Sequence, residues 1–140
     1  MNKRVILCIL DGWGIAPDSP GNAITQADPQ TYNHLIHNFP NTQLLAAGPA
    51  VGLPEGMDGN SETGHLNIGA GRVVYQDLAM INMAIADGSY FTNKVLLDTV
   101  KHVNSFGSKL HVLGMIGSSG VHAFNEHLFA LMLFAKNQNV

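Results

Sequence analysis

The chain has 140 residues, of which 46% are hydrophobic and 12% are charged, enough for one ordinary core or two incomplete ones. The net charge is -3 and only seven residues are Lys or Arg, so no basic stripe could neutralise a nucleic-acid backbone. We therefore expect no nucleic-acid partner. The single cysteine, Cys8, lies in an apolar run, which favours a buried and inert thiol. These features are typical of a soluble globular protein of the cytoplasm, where thiols stay reduced.

The first apolar run, residues 5–10, is too short to cross a bilayer and is followed by Asp11 and Gly12 rather than by a cleavage site. We therefore expect no membrane partner. The run is continuous rather than alternating, which is typical of a strand buried on both faces in a parallel sheet. Residues 42–47 and 110–116 are predicted as further strands, and the latter begins a second α/β unit.

Asp11 follows the first predicted strand, at the sheet edge where open α/β folds bind their ligands. A carboxylate in this place is a hard oxygen ligand suited to Mn²⁺ or Mg²⁺. An Asp-Gly pair in isolation is by default a plain turn. From the residues alone, both interpretations of Asp11 stay open.

Four helices are predicted from apolar periodicity and from end signals. The first has Asp28 as N-cap and Pro29 at its first helical position, and it ends at Pro40. Its buried face is predicted to hold Tyr32, Leu35, Ile36 and Phe39. The other helices are residues 76–87, residues 93–106 with Gly107 as the stop signal, and a last helix whose apolar face holds Phe124, Leu128, Leu131, Met132 and Ala135.

Residues 59–72 form a glycine-punctuated stretch that presents Ser61 just before a run compatible with a helix. A phosphoryl group on its hydroxyl would be stabilised by the N–H groups and the dipole of a helix start. The alternative is that Ser61 is only an N-cap, and the spacing alone favours this. His65 and Leu66 stand where a nucleotide-binding P-loop has Lys and Ser or Thr, so a P-loop is rejected. His65 either orients Ser61 or merely packs beside it.

Three motifs follow one another along the chain: Leu10-Asp11-Gly12-Trp13-Gly14, Val51-Gly52-Leu53-Pro54 and GNSETGHLNIGAGRVVYQ. Together they resemble the cofactor-independent phosphoglycerate mutases, which are members of the alkaline phosphatase superfamily. That family is several times longer, so the resemblance covers only its N-terminal part. It implies an α/β fold with an alkaline-phosphatase-like parallel sheet flanked by helices, followed by the start of a second α/β (transferase) domain. Residues 1–75 would belong to the metal-binding phosphatase-like domain and residues 76–140 to the inserted substrate-binding domain.

The resemblance also implies a reaction. A metal-activated serine, here Ser61, takes the phosphoryl group from one hydroxyl of phosphoglycerate and returns it to the neighbouring hydroxyl. This interconverts 2-phosphoglycerate and 3-phosphoglycerate without bisphosphoglycerate. Two divalent metal ions are implied, Mn²⁺ ahead of Mg²⁺, with Asp11 and Ser61 as ligands of one of them. The family's remaining metal ligands lie in a later segment.

His122 matches the family's substrate-binding histidine in the motif S-D-G-G-V-H-S-H. In this chain the motif reads G-S-S-G-V-H-A-F, so Ser118, Ser119 and Phe124 replace the family's aspartate, a glycine and the second histidine. The resemblance nevertheless implies that His122 binds substrate. His127, five residues later, is typical of a histidine on a helix face.

Two functions stand open at this point. The chain is either the N-terminal part of a cytoplasmic, monomeric phosphoglycerate mutase, or a truncated product that binds a partner chain or a loosely held metal. A third interpretation is a phosphatase of the same superfamily, which would hydrolyse the phosphoserine with water. We expect the 140 residues alone to show no mutase activity, because two protein ligands make a weak metal site.

Overall fold

A computed structural model describes residues 4–117 and 123–140 of the protein. These residues form the helices α1 (Ala23–Gln26), α2 (Gln30–Asn38), α3 (Ser61–Ala70), α4 (Asp77–Asp87), α5 (Lys94–Phe106) and α6 (Asn125–Asn137). Short 3-10 turns occupy Gly48–Val51 and Ser89–Thr92. Among the described residues, no helix is both long and apolar enough to cross a membrane.

The chain divides into two compact units, Met1–Leu45 and Ala46–Val140. The first unit holds α1 and α2, and the second holds the remaining helices. The domain assignment with a boundary after residue 75 refers to the longer family fold, and it stays a prediction.

The predicted parallel sheet is wrong for residues 4–117 and 123–140, which contain no β-strand. The strand prediction covers residues 5–10, 42–47 and 110–116. Their apolar side chains are largely exposed: Val5 is 89% exposed, Leu44 88% and Leu113 95%. Cys8 is exposed as well, against the expectation of a buried thiol. A strand is stable only when a neighbour pairs with its backbone, and none of the three segments forms such a ladder within the described residues.

Helix α2 in the first unit begins one residue later than predicted. Pro29 occupies the N-cap position, and Asp28 has a positive φ of 42°. The carboxylate of Asp28 accepts hydrogen bonds from the Gln30 Nε2 and Asn33 Nδ2 atoms at 2.6 and 3.0 Å. Asp28 therefore bonds to side chains at the helix start instead of capping a backbone N–H group.

The second unit contains the hydrophobic core of the described chain. Helix α5 buries Val100 and Val103, which are each 6% exposed and lie three residues apart on one side of the helix. It is capped by Asn93, and Gly107 ends it with a φ of 56°. The most deeply buried side chain belongs to Phe134 of α6, which is 2% exposed. The other core residues are Val51, Leu53, Ala79 and Ala130.

The buried face of α6 agrees only in part with the predicted one, of which Phe124, Leu128, Leu131 and Ala135 are partly buried. Ala130 and Phe134 are buried, whereas the predicted core residue Met132 is 58% exposed. These two residues are four apart and so lie one above the other on one side of the helix. The apolar residues of α6 surround most of the helix, so its composition does not identify the buried side.

Candidate active site

Ser61 is the first residue of α3, and Asn60 occupies the N-cap position. The Asn60 Oδ1 atom accepts a hydrogen bond from the backbone N–H of Thr63 at 2.9 Å. The Thr63 hydroxyl in turn donates to the Asn60 carbonyl at 3.1 Å, and Thr63 is only 3% exposed. The sequence favours Ser61 as the N-cap, but the capping residue in the structure is Asn60. Ser61 itself is exposed at the positive end of the helix dipole.

His65 lies one turn after Ser61 on α3 and is exposed. Its Nδ1 atom lies 2.7 Å from the backbone carbonyl oxygen of Ser61. A carbonyl can only accept, so Nδ1 carries the proton and donates it. This contact joins His65 to the backbone of Ser61, four residues earlier in the same helix.

The loop before α3 folds closely on itself. The N–H of Gly48 donates to the carbonyl of Met57 at 2.9 Å, which closes the loop between them. A side chain at Gly59 would overlap the carbonyl of Ala46, so this position requires glycine. The backbone immediately before Asn60 and Ser61 is thus held against the beginning of the second unit.

Asn67 is a residue of α3 that the sequence interpretation missed. Its Nδ2 atom donates to the carbonyls of Val51 at 3.0 Å and Thr63 at 2.8 Å. Its Oδ1 atom accepts from the backbone N–H of Val74 at 2.6 Å. Asparagine is a poor helix former, and its presence inside a predicted helix was the one signal that could have drawn attention to it.

Asp11 lies in a turn of the first unit. The N–H of Trp13 donates to the carbonyl of Leu10 at 3.2 Å, and Gly12 has a φ of 77°. The geometry is that of a glycine-containing turn, with the Asp11 side chain exposed. A turn position and a metal-binding role are compatible with each other, so Asp11 as a metal ligand stays a prediction.

The predicted substrate-binding residue His122 lies outside the described residues. His127 lies on α6 and is half-buried, and its Nε2 atom is 2.6 Å from the Asn82 Oδ1 atom of α4. Burial lowers the pKa of His127, and the neighbouring Glu126 carboxylate acts in the opposite direction. His127 therefore joins two helices of the second unit.

Asp11 and Ser61 offer the oxygen donors that hard divalent cations prefer. Among residues 4–117 and 123–140, however, no three His, Cys, Asp or Glu side chains lie close enough together to hold an ion. Asp11 belongs to the first unit and Ser61 to the second. The oxygen atoms of Asp11 and Ser61 are therefore of the kind that a divalent cation prefers, but two protein ligands are too few to hold it firmly.

The chain matches a known protein family over nearly its whole length. Residues 3–137 match the Metalloenzyme superfamily. The chain belongs to this superfamily. The name of the superfamily denotes enzymes that use a metal ion, and it agrees with the oxygen donors at Asp11 and Ser61.

The chain is also similar to proteins named 2,3-bisphosphoglycerate-independent phosphoglycerate mutase, which confirms the family resemblance of the three motifs. It is 51% identical over 138 residues to the protein of Acholeplasma laidlawii, 54% over 138 to that of Chloroflexus aurantiacus and 47% over 140 to that of Moorella thermoacetica. These matches cover 99%, 99% and 100% of this chain, but 27%, 26% and 27% of the relatives. The chain therefore spans about a quarter of the length of the relatives it matches.

Proposed function

We propose that this chain supplies the phosphoryl-accepting serine of a phosphoglycerate mutase that interconverts 2-phosphoglycerate and 3-phosphoglycerate. The observation that carries the proposal is the start of α3, where Asn60 makes the capping bond and Ser61 is the first helical residue. Capping therefore does not explain why a serine stands at this position. The printed names of the relatives support the reaction class and the independence from bisphosphoglycerate.

The proposed reaction has two transfers. The Ser61 hydroxyl loses its proton as its Oγ atom attacks the phosphorus of the substrate, the phosphorus–oxygen bond to glycerate breaks, and the released glycerate oxygen takes up a proton. The neighbouring glycerate hydroxyl then loses its proton and attacks the phosphorus of the phosphoserine, the bond from phosphorus to the Ser61 oxygen breaks, and that oxygen takes up a proton. A phosphoryl group adds a charge of about -2, which the helix start of α3 stabilises. A bound divalent cation would neutralise phosphoryl oxygens and lower the pKa of the serine hydroxyl.

The finer parts of this proposal rest on the family resemblance. They are Mn²⁺ as the metal, participation in glycolysis, His122 as a substrate-binding residue, a monomeric enzyme and a cytoplasmic location. For the 140 residues by themselves we expect no measurable turnover, because phosphoryl transfer needs cations already positioned around the transferred oxygens.

The test uses a chimera in which this chain replaces the matched 138 residues of the Acholeplasma laidlawii relative. We expect the chimera to convert 3-phosphoglycerate to 2-phosphoglycerate, and Ser61→Ala to lower kcat by at least about 1,000-fold, as removal of a nucleophile does. Mass spectrometry after incubation with substrate should find phosphate on Ser61. Ser89→Ala is the matched control, because Ser89 also begins a helical turn and should leave turnover unchanged.

A Ser61→Ala chimera that retains a tenth of the turnover would end the proposal. If the chimera releases inorganic phosphate instead of forming 2-phosphoglycerate, the activity is that of a phosphatase of the same superfamily and not that of a mutase.

The proposed metal ligand is tested separately. Asp11→Asn in the chimera should weaken Mn²⁺ binding by about tenfold or more, because a neutral amide is a poorer ligand for a hard cation than a carboxylate. Titration calorimetry with Mn²⁺ measures this affinity directly, and Asp18→Asn is the control in the same unit. If Asp11→Asn and the unchanged chimera bind Mn²⁺ equally, Asp11 is a turn residue only.

A further inference from the structure

The Asn67 side chain connects three stretches of backbone around α3. It contacts the carbonyl of Val51 in the preceding 3-10 turn, the carbonyl of Thr63 one turn earlier in α3, and the N–H of Val74 in the segment after the helix. The three distances, 3.0, 2.8 and 2.6 Å, lie within the normal hydrogen-bond range. We call this set of contacts the Asn67 clamp.

The partners determine how the Asn67 amide is oriented. Two backbone carbonyls can only accept, so they face Nδ2, and one backbone N–H can only donate, so it faces Oδ1. Only Asn and Gln carry a side-chain amide with two N–H donors and one acceptor, and in Gln it lies one methylene farther from the backbone. A serine would be too short, and an aspartate would turn a second oxygen toward the two carbonyls.

The stretches that the clamp joins already lie against each other. The N–H of Gln76 donates to the carbonyl of Gly52 at 2.8 Å. Gly52 has a φ of 82°, and a side chain there would come within 2.9 Å of the Tyr75 Cα atom and overlap the carbonyl of Val74. Val51 and Leu53, on either side of Gly52, are 7% and 8% exposed. The clamp therefore acts at a close-packed backbone crossing and not at a mobile surface.

We propose that Asn67 is a positioning residue that holds α3, and with it Ser61, in the place required for phosphoryl transfer. The inference rests on the proposed function of Ser61. Ser61 and Asn67 lie six residues apart in one ten-residue helix, about 9 Å along its axis. The backbone hydrogen bonds of the helix connect the two positions, so a shift at Asn67 is transmitted toward Ser61. A displacement of about 1 Å at a reacting atom lowers a rate by about 100-fold.

Two substitutions in the chimera test the clamp. Asn67→Ala removes all three hydrogen bonds, whereas Asn67→Asp keeps the shape and the acceptor but places an oxygen opposite the carbonyls of Val51 and Thr63. We expect each to lower kcat by about 100-fold, with KM within twofold of the unchanged chimera, because the clamp positions the nucleophile and does not touch substrate. A purely structural role would leave kcat unchanged per folded molecule.

The matched control is Asn82→Ala in α4. Asn82 is half-buried like Asn67 and also bonds to another part of the second unit, through its 2.6 Å contact with His127. Its loss should lower the melting temperature and leave kcat within twofold. A fall in kcat with Asn82→Ala as large as with Asn67→Ala would overturn the proposal, and so would a kcat within threefold of normal in both Asn67 variants.

A second measurement separates the clamp from the reaction. In the 140-residue chain, Asn67→Ala should raise the hydrogen-exchange rate of the Val74 amide by at least tenfold, because that amide loses its acceptor. The Leu97 amide of α5 serves as the internal reference. If Asn67→Ala leaves the exchange rate of the Val74 amide unchanged, the clamp is contradicted. If the chimera without any substitution is inactive, the proposed function is contradicted instead.

Discussion

The two units of the chain differ in what their helices bury. In Ala46–Val140, α5 places Val100 and Val103 in a core that also contains Phe134, and each is at most 6% exposed. In Met1–Leu45, the described residues include no buried hydrophobic side chain. The first unit instead has a cleft of about 370 Å³, lined in part by Trp13 and Tyr32, whose rings lie 5.2 Å apart.

Helices α2 and α5 show what this difference means for sequence interpretation. Both have apolar residues at helical spacing, and both are helices in the structure. Yet Leu35 and Phe39 of α2 are 48% and 55% exposed. Periodicity thus predicts the helix and the side that could be buried, whereas burial also needs a partner element.

Truncation of Phe134 should distinguish the two units most clearly. Phe134→Ala removes a 2% exposed ring from the core and should lower the free energy of unfolding by about 3–5 kcal/mol. Leu35→Ala in α2 should cost about 1 kcal/mol or less, because Leu35 is already half exposed. Urea unfolding followed by circular dichroism measures both. Equal losses would mean that α2 is as well packed as α6.

Gly12 and Gly52 both have a positive φ and lie one in each unit, so they allow a second comparison of the two units. Gly12 in the first unit has a φ of 77° with no atom within 4 Å of a new Cβ, so Gly12→Ala should cost only the left-handed strain of about 1–2 kcal/mol. Gly52 in the second unit has a φ of 82° and the backbone of Val74 and Tyr75 against it. Gly52→Ala should therefore cost more than Gly12→Ala. The melting temperatures of the two variants test this expectation. A larger decrease in Gly12→Ala than in Gly52→Ala would contradict the close backbone crossing at Gly52.

The half-buried His127 makes the stability of the second unit depend on pH. Burial lowers its pKa below the usual 6.5, so the unfolded chain takes up this proton first as the pH falls. His127 thus contributes stability above pH 6.5, and the contribution is lost as the pH falls through its folded pKa. The melting temperature should fall less between pH 7.5 and 5.5 in His127→Gln than in the unchanged chain. An identical fall in both would show that His127 has no part in the pH dependence.

The sequence predicted the helices well where their signals are local. Asn93 and Gly107 delimit α5 within the chain itself, because a cap and a left-handed stop act on neighbouring residues. Helix α4 likewise ends at Gly88, whose φ is 84°. The strand predictions failed because a strand depends on hydrogen bonds to a distant segment, and apolar composition alone cannot supply that segment.

The candidate site was predicted in part for the same reason. Ser61 stands out through the local pattern of glycines and the helix start, although its catalytic role stays a proposal. That Asn60 rather than Ser61 makes the cap bond is a matter of one position, which spacing cannot resolve. Asn67 was missed because its partner Val51 lies 16 residues away, and a non-local backbone contact leaves little trace in the sequence.

The exposed apolar segments have a consequence for the lifetime of the protein in a cell. Residues 5–10, 42–47 and 110–116 lack helix and strand and display Leu, Ile and Val side chains. Peptidases bind chain segments that are free of regular structure, and chaperones recognise exposed aliphatic side chains. Any polypeptide that covers these segments would slow degradation and so raise the steady-state amount of the protein. The amount of the chain in a cell would then increase when another polypeptide covers these segments. A measurement of abundance would therefore detect such assembly, as a measurement of activity would.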